Sequence, residues 1–319
     1  EEFGKIQYAK NNFSKKKDKF NYNFLNINSN TDSIIKNGRI LDTLINDNTL
    51  YISYFSDDKC KKMGISFAKI NFQKLEFNEL ITFNECKSGD SAMSGGRLQY
   101  YDNQNTKGLL LTTSMNDKKG NNVKAQEDNA IYGKILFIDL NNLDYKVFAK
   151  GFRNPQGLYV DDDLILTSEH GPRGGDEINN IIMNGNYGWP ISSYGEPYGD
   201  GFKNRNKDYL LENLYKKNHN KYGFIEPVYS FIPSIGASEL IKLPNNFHPK
   251  WEDNFLLSSL SGHSLFRLMF SNDFSRVIYS EKIYIGYRTR DLKYDPLNNV
   301  ILLAMENFGQ IGILIPETN

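Results

Sequence analysis

Three segments near the middle of the chain hold the side chains best suited to chemistry. They are Gly151-Phe152-Arg153-Asn154-Pro155-Gln156-Gly157-Leu158, Glu169-His170-Gly171-Pro172-Arg173-Gly174-Gly175-Asp176-Glu177-Ile178-Asn179 and Asn186-Tyr187-Gly188-Trp189-Pro190. A guanidinium presents a planar fork of donors that matches a carboxylate. Asp, Glu and the carbonyls of a glycine-rich turn are hard oxygen ligands of the kind calcium takes. Two arrangements fit this set: a site for an anionic, oxygen-rich cofactor with a cation, or a loop folded on itself by Arg–Asp pairs.

The elements that must position these groups read as strands. Short β-rich runs, among them Thr49–Phe55, Gly64–Phe72, Gly108–Thr113, Ile131–Leu140 and Leu164–Ser168, are bounded by Asn, Asp or Gly. The pattern continues through Asn254–Ser259, Ser264–Phe270, Val277–Tyr284, Val300–Met305 and Gln310–Ile315, and helix signals are nearly absent. Such spacing predicts an all-β propeller or a large sandwich. The stretches 157–166 and 292–302 share a strand, an acidic turn and a second strand, as inner propeller hairpins do. Two regions break the rhythm: residues 1–36, an irregular or incomplete first blade, and residues 184–226, a long rim loop rich in Gly, Tyr, Asn and Pro. Tyr194, Tyr198 and Tyr209 in that loop are candidates to stack against a sugar; the other aromatics are sheet packing.

Composition narrows the partners. The 319 residues carry 38 Lys plus Arg and 38 Asp plus Glu, so no global field draws nucleic acid or an anionic membrane. No apolar run approaches the ~20 residues of a membrane span. The start, Glu1-Glu2-Phe3-Gly4-Lys5, has no signal-peptide core, so an exported form is expected to have lost its targeting segment already. Cys60 and Cys86 are either two free thiols or a disulfide closing a loop of about 25 residues. Asn12-Phe13-Ser14 is a glycosylation sequon by letter.

The three central segments, in that order, resemble the signature of the soluble aldose sugar dehydrogenases, the glucose/sorbosone dehydrogenase family of pyrroloquinoline quinone (PQQ) enzymes. Ala125-Gln126, Gly133-Lys134-Ile135-Leu136, Gly95-Gly96-Arg97-Leu98 and Arg288-Thr289-Arg290-Asp291-Leu292 extend the likeness to roughly residues 38–315. The resemblance implies one six-bladed β-propeller over residues 1–319, with PQQ at one end of the central channel. It implies that Arg153 and Asn154 contact the cofactor and that Arg288 and Arg290 hold its carboxylates. The carbonyls of Gly171 and Pro172 would bind the cofactor-associated calcium, and Glu177 and Tyr187 a second, structural calcium.

Three positions depart from the family. Met93 stands where the family has the histidine that takes the proton of the sugar's anomeric hydroxyl, and losing such a base costs about 10²–10⁴ in rate. Ser261 replaces a lysine that contacts the quinone, and Asn37 replaces a glutamine of the first blade. Of the four histidines, His263, two residues past Ser261 and so on the same strand face, is the one candidate substitute base, with an ordinary blade histidine as its other reading. His170 shapes the turn, and His219 and His248 fall in loops. The expected function is therefore a PQQ- and calcium-dependent oxidation of an aldose at C1 to the lactone by a periplasmic or secreted protein. The alternative is an inactive calcium-binding propeller whose channel mouth holds a sugar, another ligand or a partner protein.

Overall fold

The computed structural model describes residues 5–9, 24–87, 95–103, 106–116, 121–197, 215–306 and 309–317. They fall into two compact units, Glu1–Lys87 and Ser88–Asn319. The first unit has two sheets. Ile6–Ala9 and Phe24–Ser29 pair antiparallel, and Lys74–Leu75 joins them in parallel. Arg39–Asn46, Thr49–Asp57, Lys61–Lys69 and Asn78–Thr82 form a four-stranded antiparallel sheet. Between Phe24–Ser29 and Arg39–Asn46 in the chain lies a single-turn helix, Thr31–Ile35. Ile35, Leu50, Ile52, Tyr54, Leu75 and Phe77 make the core of this unit.

Cys60 and Cys86 are disulfide-bonded, a sequence separation of 26. The bond clips the start of Lys61–Lys69 to the chain following Asn78–Thr82. Closing a loop of this length removes unfolded-state entropy worth about 3 kcal/mol. Reduction, or Ser at both positions, should lower unfolding stability by about that amount; an unchanged denaturation midpoint would contradict it.

The second unit is a meander of four sheets. Their first strands are Gly95–Asn103, Pro155–Asp161, Ala237–Lys242 and Thr289–Asp295, and each sheet adds its later strands in chain order. Each of these first strands packs beside the first strand of the next sheet. Six sheets are formed among the described residues, and the fold is a six-bladed β-propeller. Alternation along the strands places Leu110, Ile135, Phe137, Phe148, Leu158 and Ile165 in one buried layer and Leu240, Phe255, Leu257, Phe266 and Leu268 in another. The hairpins expected at 157–166 and 292–302 are present. Among the described residues no helix is long and apolar enough to cross a membrane.

Each of the four inner strands slips register at its beginning, between Gly95 and Leu98, Pro155 and Gly157, Ala237 and Leu240, and Thr289 and Asp291. A bulge bends a strand and re-aims the side chains beside it. Neighbouring inner strands start at one end of the sheets, so Asn154, Gln156, Arg288 and Arg290, all at or next to a bulge, are turned toward a common region. The described parts of the rim loop, 184–197 and 215–226, are tied down: the Trp189 indole donates to the Met115 carbonyl at 2.7 Å, and Ser192 bridges to Lys216. Tyr198, Tyr209 and the sequon at Asn12 lie outside the described residues.

Candidate functional site

The inner-strand starts build one line of polar side chains. The Arg290 guanidinium donates from Nη1 to Gln156 Oε1 at 2.7 Å. Gln156 Nε2 donates to Asn154 Oδ1 at 3.1 Å, and Asn154 Nδ2 lies 3.2 Å from His170 Nδ1. The order fixes every orientation. Arginine can only donate, so Gln156 must turn its oxygen toward it and its amide nitrogen toward Asn154. Asn154 then donates to His170, whose Nδ1 is the acceptor and whose Nε2 carries the proton. Burial, with Arg153 and Arg290 adding to it, pushes the His170 pKa down to about 4 against the pull of Asp176, so the ring is neutral at pH 7.

The line continues beyond Arg290, whose Nη2 donates to Glu306 Oε1 at 2.6 Å. Arg288 brings both Nε and Nη2 to Glu306 Oε2 at 2.9 Å. Arg153 donates from Nη1 to the His170 carbonyl at 2.9 Å and lies over the Trp189 ring at 5.5 Å. The four residues expected to meet the cofactor are thus brought together. Gln156 and Glu306 complete the set and were not singled out from the sequence. Gln156 lies at the register slip between Pro155 and Gly157, where strand alternation from Asn154 does not carry. Glu306 directly follows Val300–Met305 and Arg288 directly precedes its partner strand Thr289–Asp295, the Glu306 amide donating to the Arg288 carbonyl at 2.9 Å, a register the letters do not print. Burial alone would raise the Glu306 carboxyl, but the two guanidiniums outweigh it and hold it below the usual range.

Arg97, quoted above only as part of a Gly-Gly-Arg-Leu motif, ties the inner strands to one another. It donates from Nε to the Gln156 carbonyl at 2.6 Å and from Nη2 to the Arg290 carbonyl at 2.8 Å. Its Nη1 reaches Asp291 at 2.8 Å and Glu239 at 3.0 Å. One buried guanidinium therefore joins all four inner strands.

The glycine-rich turn is folded by Asp176 through backbone amides. Oδ1 accepts from Gly171 N at 3.0 Å and from the Ser234 hydroxyl, and Oδ2 accepts from Ile235 N and Ala237 N at 3.0 Å each. The turn is tight enough that a Cβ on Gly171 would sit 2.2 Å from the carbonyl oxygens of both Gly174 and Gly175, which only glycine tolerates. Asp176→Asn turns an amide donor toward donors. It should cost about 1–3 kcal/mol and loosen the turn. Hydrogen exchange at Gly171, Ile235 and Ala237 rising with the loss of stability is the expected reading; an Asn variant as stable as the parent would contradict it.

Behind the turn, two buried carboxylates face each other across the ladder, Glu169 opposite Glu177. Glu169 accepts from the amides of Arg153 at 2.7 Å and Asn154 at 3.2 Å; burial still raises its pKa, to about 7. Glu177 is raised by burial and then by Glu169. His219, also buried, lies 3.7 Å from Glu177 and 3.8 Å from Glu226 and is pushed down to about 4 by burial. The Tyr187 phenol is used up by backbone, donating to Asn180 O at 2.7 Å and accepting from Ile182 N at 2.9 Å. Its ring stacks on Phe152 at 4.8 Å. Tyr187 thus has only its carbonyl to offer a cation. Among the described residues no three His, Cys, Asp or Glu side chains converge as a metal site. A donor set of carbonyls with Glu177 suits a hard cation such as calcium and no softer metal. Tyr194 is not an open platform, because its hydroxyl bonds Glu226 at 2.7 Å and its ring packs against His219.

Met93 lies outside the described residues. Ser261 is exposed in the turn between Phe255–Ser259 and Ser264–Phe270, beside Gly236. His263 does not share a strand face with Ser261, as alternation predicted: it closes the same turn with φ 48°, where the period of two does not hold. Asn37 is exposed, with φ 63°, in the turn leading into Arg39–Asn46 of the first unit.

Residues 40–313 match the Glucose / Sorbosone dehydrogenase family. The chain is 28% identical over 185 residues to the aldose sugar dehydrogenase YliI of Escherichia coli (strain K12), covering 57% of this chain and 47% of that protein. It spans about half the length, or less, of the curated relatives it matches. A solved glucose dehydrogenase superposes with a TM-score of 0.73 at 22% identity, covering 89% of this chain and 84% of that one. The PQQ-bound form of an aldose sugar dehydrogenase from Streptomyces coelicolor gives 0.62 at 19% identity, covering 88% and 79%. Since the family match takes in most of the chain, the protein belongs to the Glucose / Sorbosone dehydrogenase family.

Proposed function

We propose that this protein binds PQQ, with calcium, at the end of the inner strands where Arg153, Asn154, Arg288 and Arg290 gather, and that it oxidises aldoses at C1 to lactones only slowly. The observation that carries the reading is the unbroken line from His170 through Asn154, Gln156 and Arg290 to Glu306 and Arg288. It supplies guanidinium and amide donors of the type a polycarboxylate needs. When bound, the quinone would supply the acceptor for a hydride, which carries both electrons of the oxidation. The chain's residues would bind and orient: Arg288 and Arg290 the carboxylates, Arg153 and Asn154 the ring system, and the carbonyls of Gly171 and Pro172 a calcium ion. Glu177 and the Tyr187 carbonyl would hold the second calcium, which would relieve the buried pair Glu169 and Glu177.

Slow turnover is part of the reading because none of the described residues gathered here is placed to act as a base. Met93 cannot accept the sugar's proton. His170 cannot replace it, since Asn154 occupies its Nδ1 and its Nε2 already bears hydrogen. Two of its curated relatives are named as an aldose sugar dehydrogenase and a quinoprotein glucose dehydrogenase, and in the same way the protein would act on a small sugar at the channel mouth, in the periplasm or outside the cell. The test is to add PQQ and calcium, follow quinone absorbance on the protein, and measure dye reduction with a panel of aldoses. Bound quinone with slow reduction is expected, as is a rise in melting temperature with calcium that Glu177→Gln removes. Absence of bound quinone overturns the reading. Bound quinone with no turnover at all favours the second reading, an inactive propeller that holds a ligand or partner protein, to which the replacements Met93 and Ser261 point.

A further inference from the structure

Arg288 and Arg290 are already neutralised in part from within. Glu306 takes Arg288 by its Nε and Nη2 edge, the edge that grips a carboxylate side-on, and takes Nη2 of Arg290 with its other oxygen. The remaining outer nitrogen of Arg290 is held by Gln156. The three charged side chains are 33–37% exposed, so the arrangement is open to solvent and to an incoming anion. Backbone geometry makes it inherent to the hairpin: Met305 pairs with Thr289, and the Glu306 amide bonds the Arg288 carbonyl.

From this we infer that Glu306 is an internal competitor, a carboxylate standing where a ligand's carboxylate would, so that an anionic ligand must displace it to engage Arg288 and Arg290. The inference rests on the reading of these arginines as the cofactor's carboxylate holders. It goes further in stating that this chain's own acid restrains their affinity. A mere positioning role gives the opposite sign: if Glu306 served to hold the arginines in place, removing its charge would weaken ligand binding.

The experiment titrates the purified apoprotein with PQQ by intrinsic fluorescence quenching, and in parallel with pyridine-2,3-dicarboxylate, which carries adjacent carboxylates and no quinone. Glu306→Gln is expected to tighten both about five- to thirtyfold, the change that displacement of two exposed ion pairs of ordinary strength represents. Glu306→Asp, which keeps the charge, is expected to stay near the parent. Thermal melts of each variant establish that it is folded. Binding of both probes that is unchanged or weaker in folded Glu306→Gln overturns the inference and leaves the quinone reading standing. Tightening of the dicarboxylate alone, with no quinone bound by either protein, supports the competition and removes the quinone. No binding of either probe by parent or variant overturns both.

Discussion

Replacing Arg97 with Met should lower unfolding stability by about 3–5 kcal/mol, the range found when one partner of a buried charge set is removed. The side chain is 7% exposed, and its partner Glu239 is equally buried. Met fills much of the volume but leaves the Glu239 carboxylate without its cation, and the Gln156 and Arg290 carbonyls without their donors. Arg97→Lys should fare little better, because a point charge with three donors cannot span two carbonyls and two carboxylates that the planar fork reaches together. Chemical denaturation measures the loss, and a difference under 1 kcal/mol would contradict the role. The cycle with Glu239→Gln separates causes: removing the stranded carboxylate should restore part of the stability on the Met background and cost stability on the parent. Because Arg97 holds the backbone at Gln156 and Arg290, quinone binding should weaken along with folding.

Much of this arrangement was legible in the letters, and the reason is local. Runs such as Ser264–Phe270 and Val300–Met305 are strands because alternation and turn residues specify them within a few positions, and the observed bounds coincide. Arg153, Asn154, Arg288 and Arg290 could be picked out because they sit in segments that resemble a family, and the fold does gather them. What stayed hidden depends on register between distant strands. Glu306 carries no motif; it matters because hairpin pairing sets it against Arg288. Gln156 matters because a bulge at Pro155 turns it toward a residue 134 positions away. His263 failed for a related reason. Period-two reasoning carried across a turn assumes extended backbone, and φ there is 48°. Glu177 could be picked out only through the resemblance, as a calcium ligand, and nothing in the letters sets Glu169 opposite it; burial in the core raises both, and Glu169 raises Glu177 further.

Met93→His should raise the rate of aldose oxidation by about 10²–10⁴ with PQQ and calcium present, the range that general-base help supplies. The size of the gain follows from the lack of a placed base among the described residues of the parent. A thioether has no proton affinity of use at neutral pH. His170, neutral and close to the arginines, is locked by Asn154 with hydrogen on Nε2. Glu306 is held ionised by two guanidiniums, which makes it a poor proton acceptor. A new imidazole would have an ordinary pKa near 6.5 as its starting point, so the variant's rate should climb as pH rises through 6–7 and the ring loses its proton, a limb the parent should not show. Met93→Gln, similar in size and without basicity, should stay at the parent rate and separates proton transfer from a change of shape. If quinone binds to Met93→His as it does to the parent and turnover still does not rise, the missing histidine is not what limits the reaction. The pocket would then have diverged beyond one residue, with Ser261, where the resemblance implies a lysine, the next position to restore.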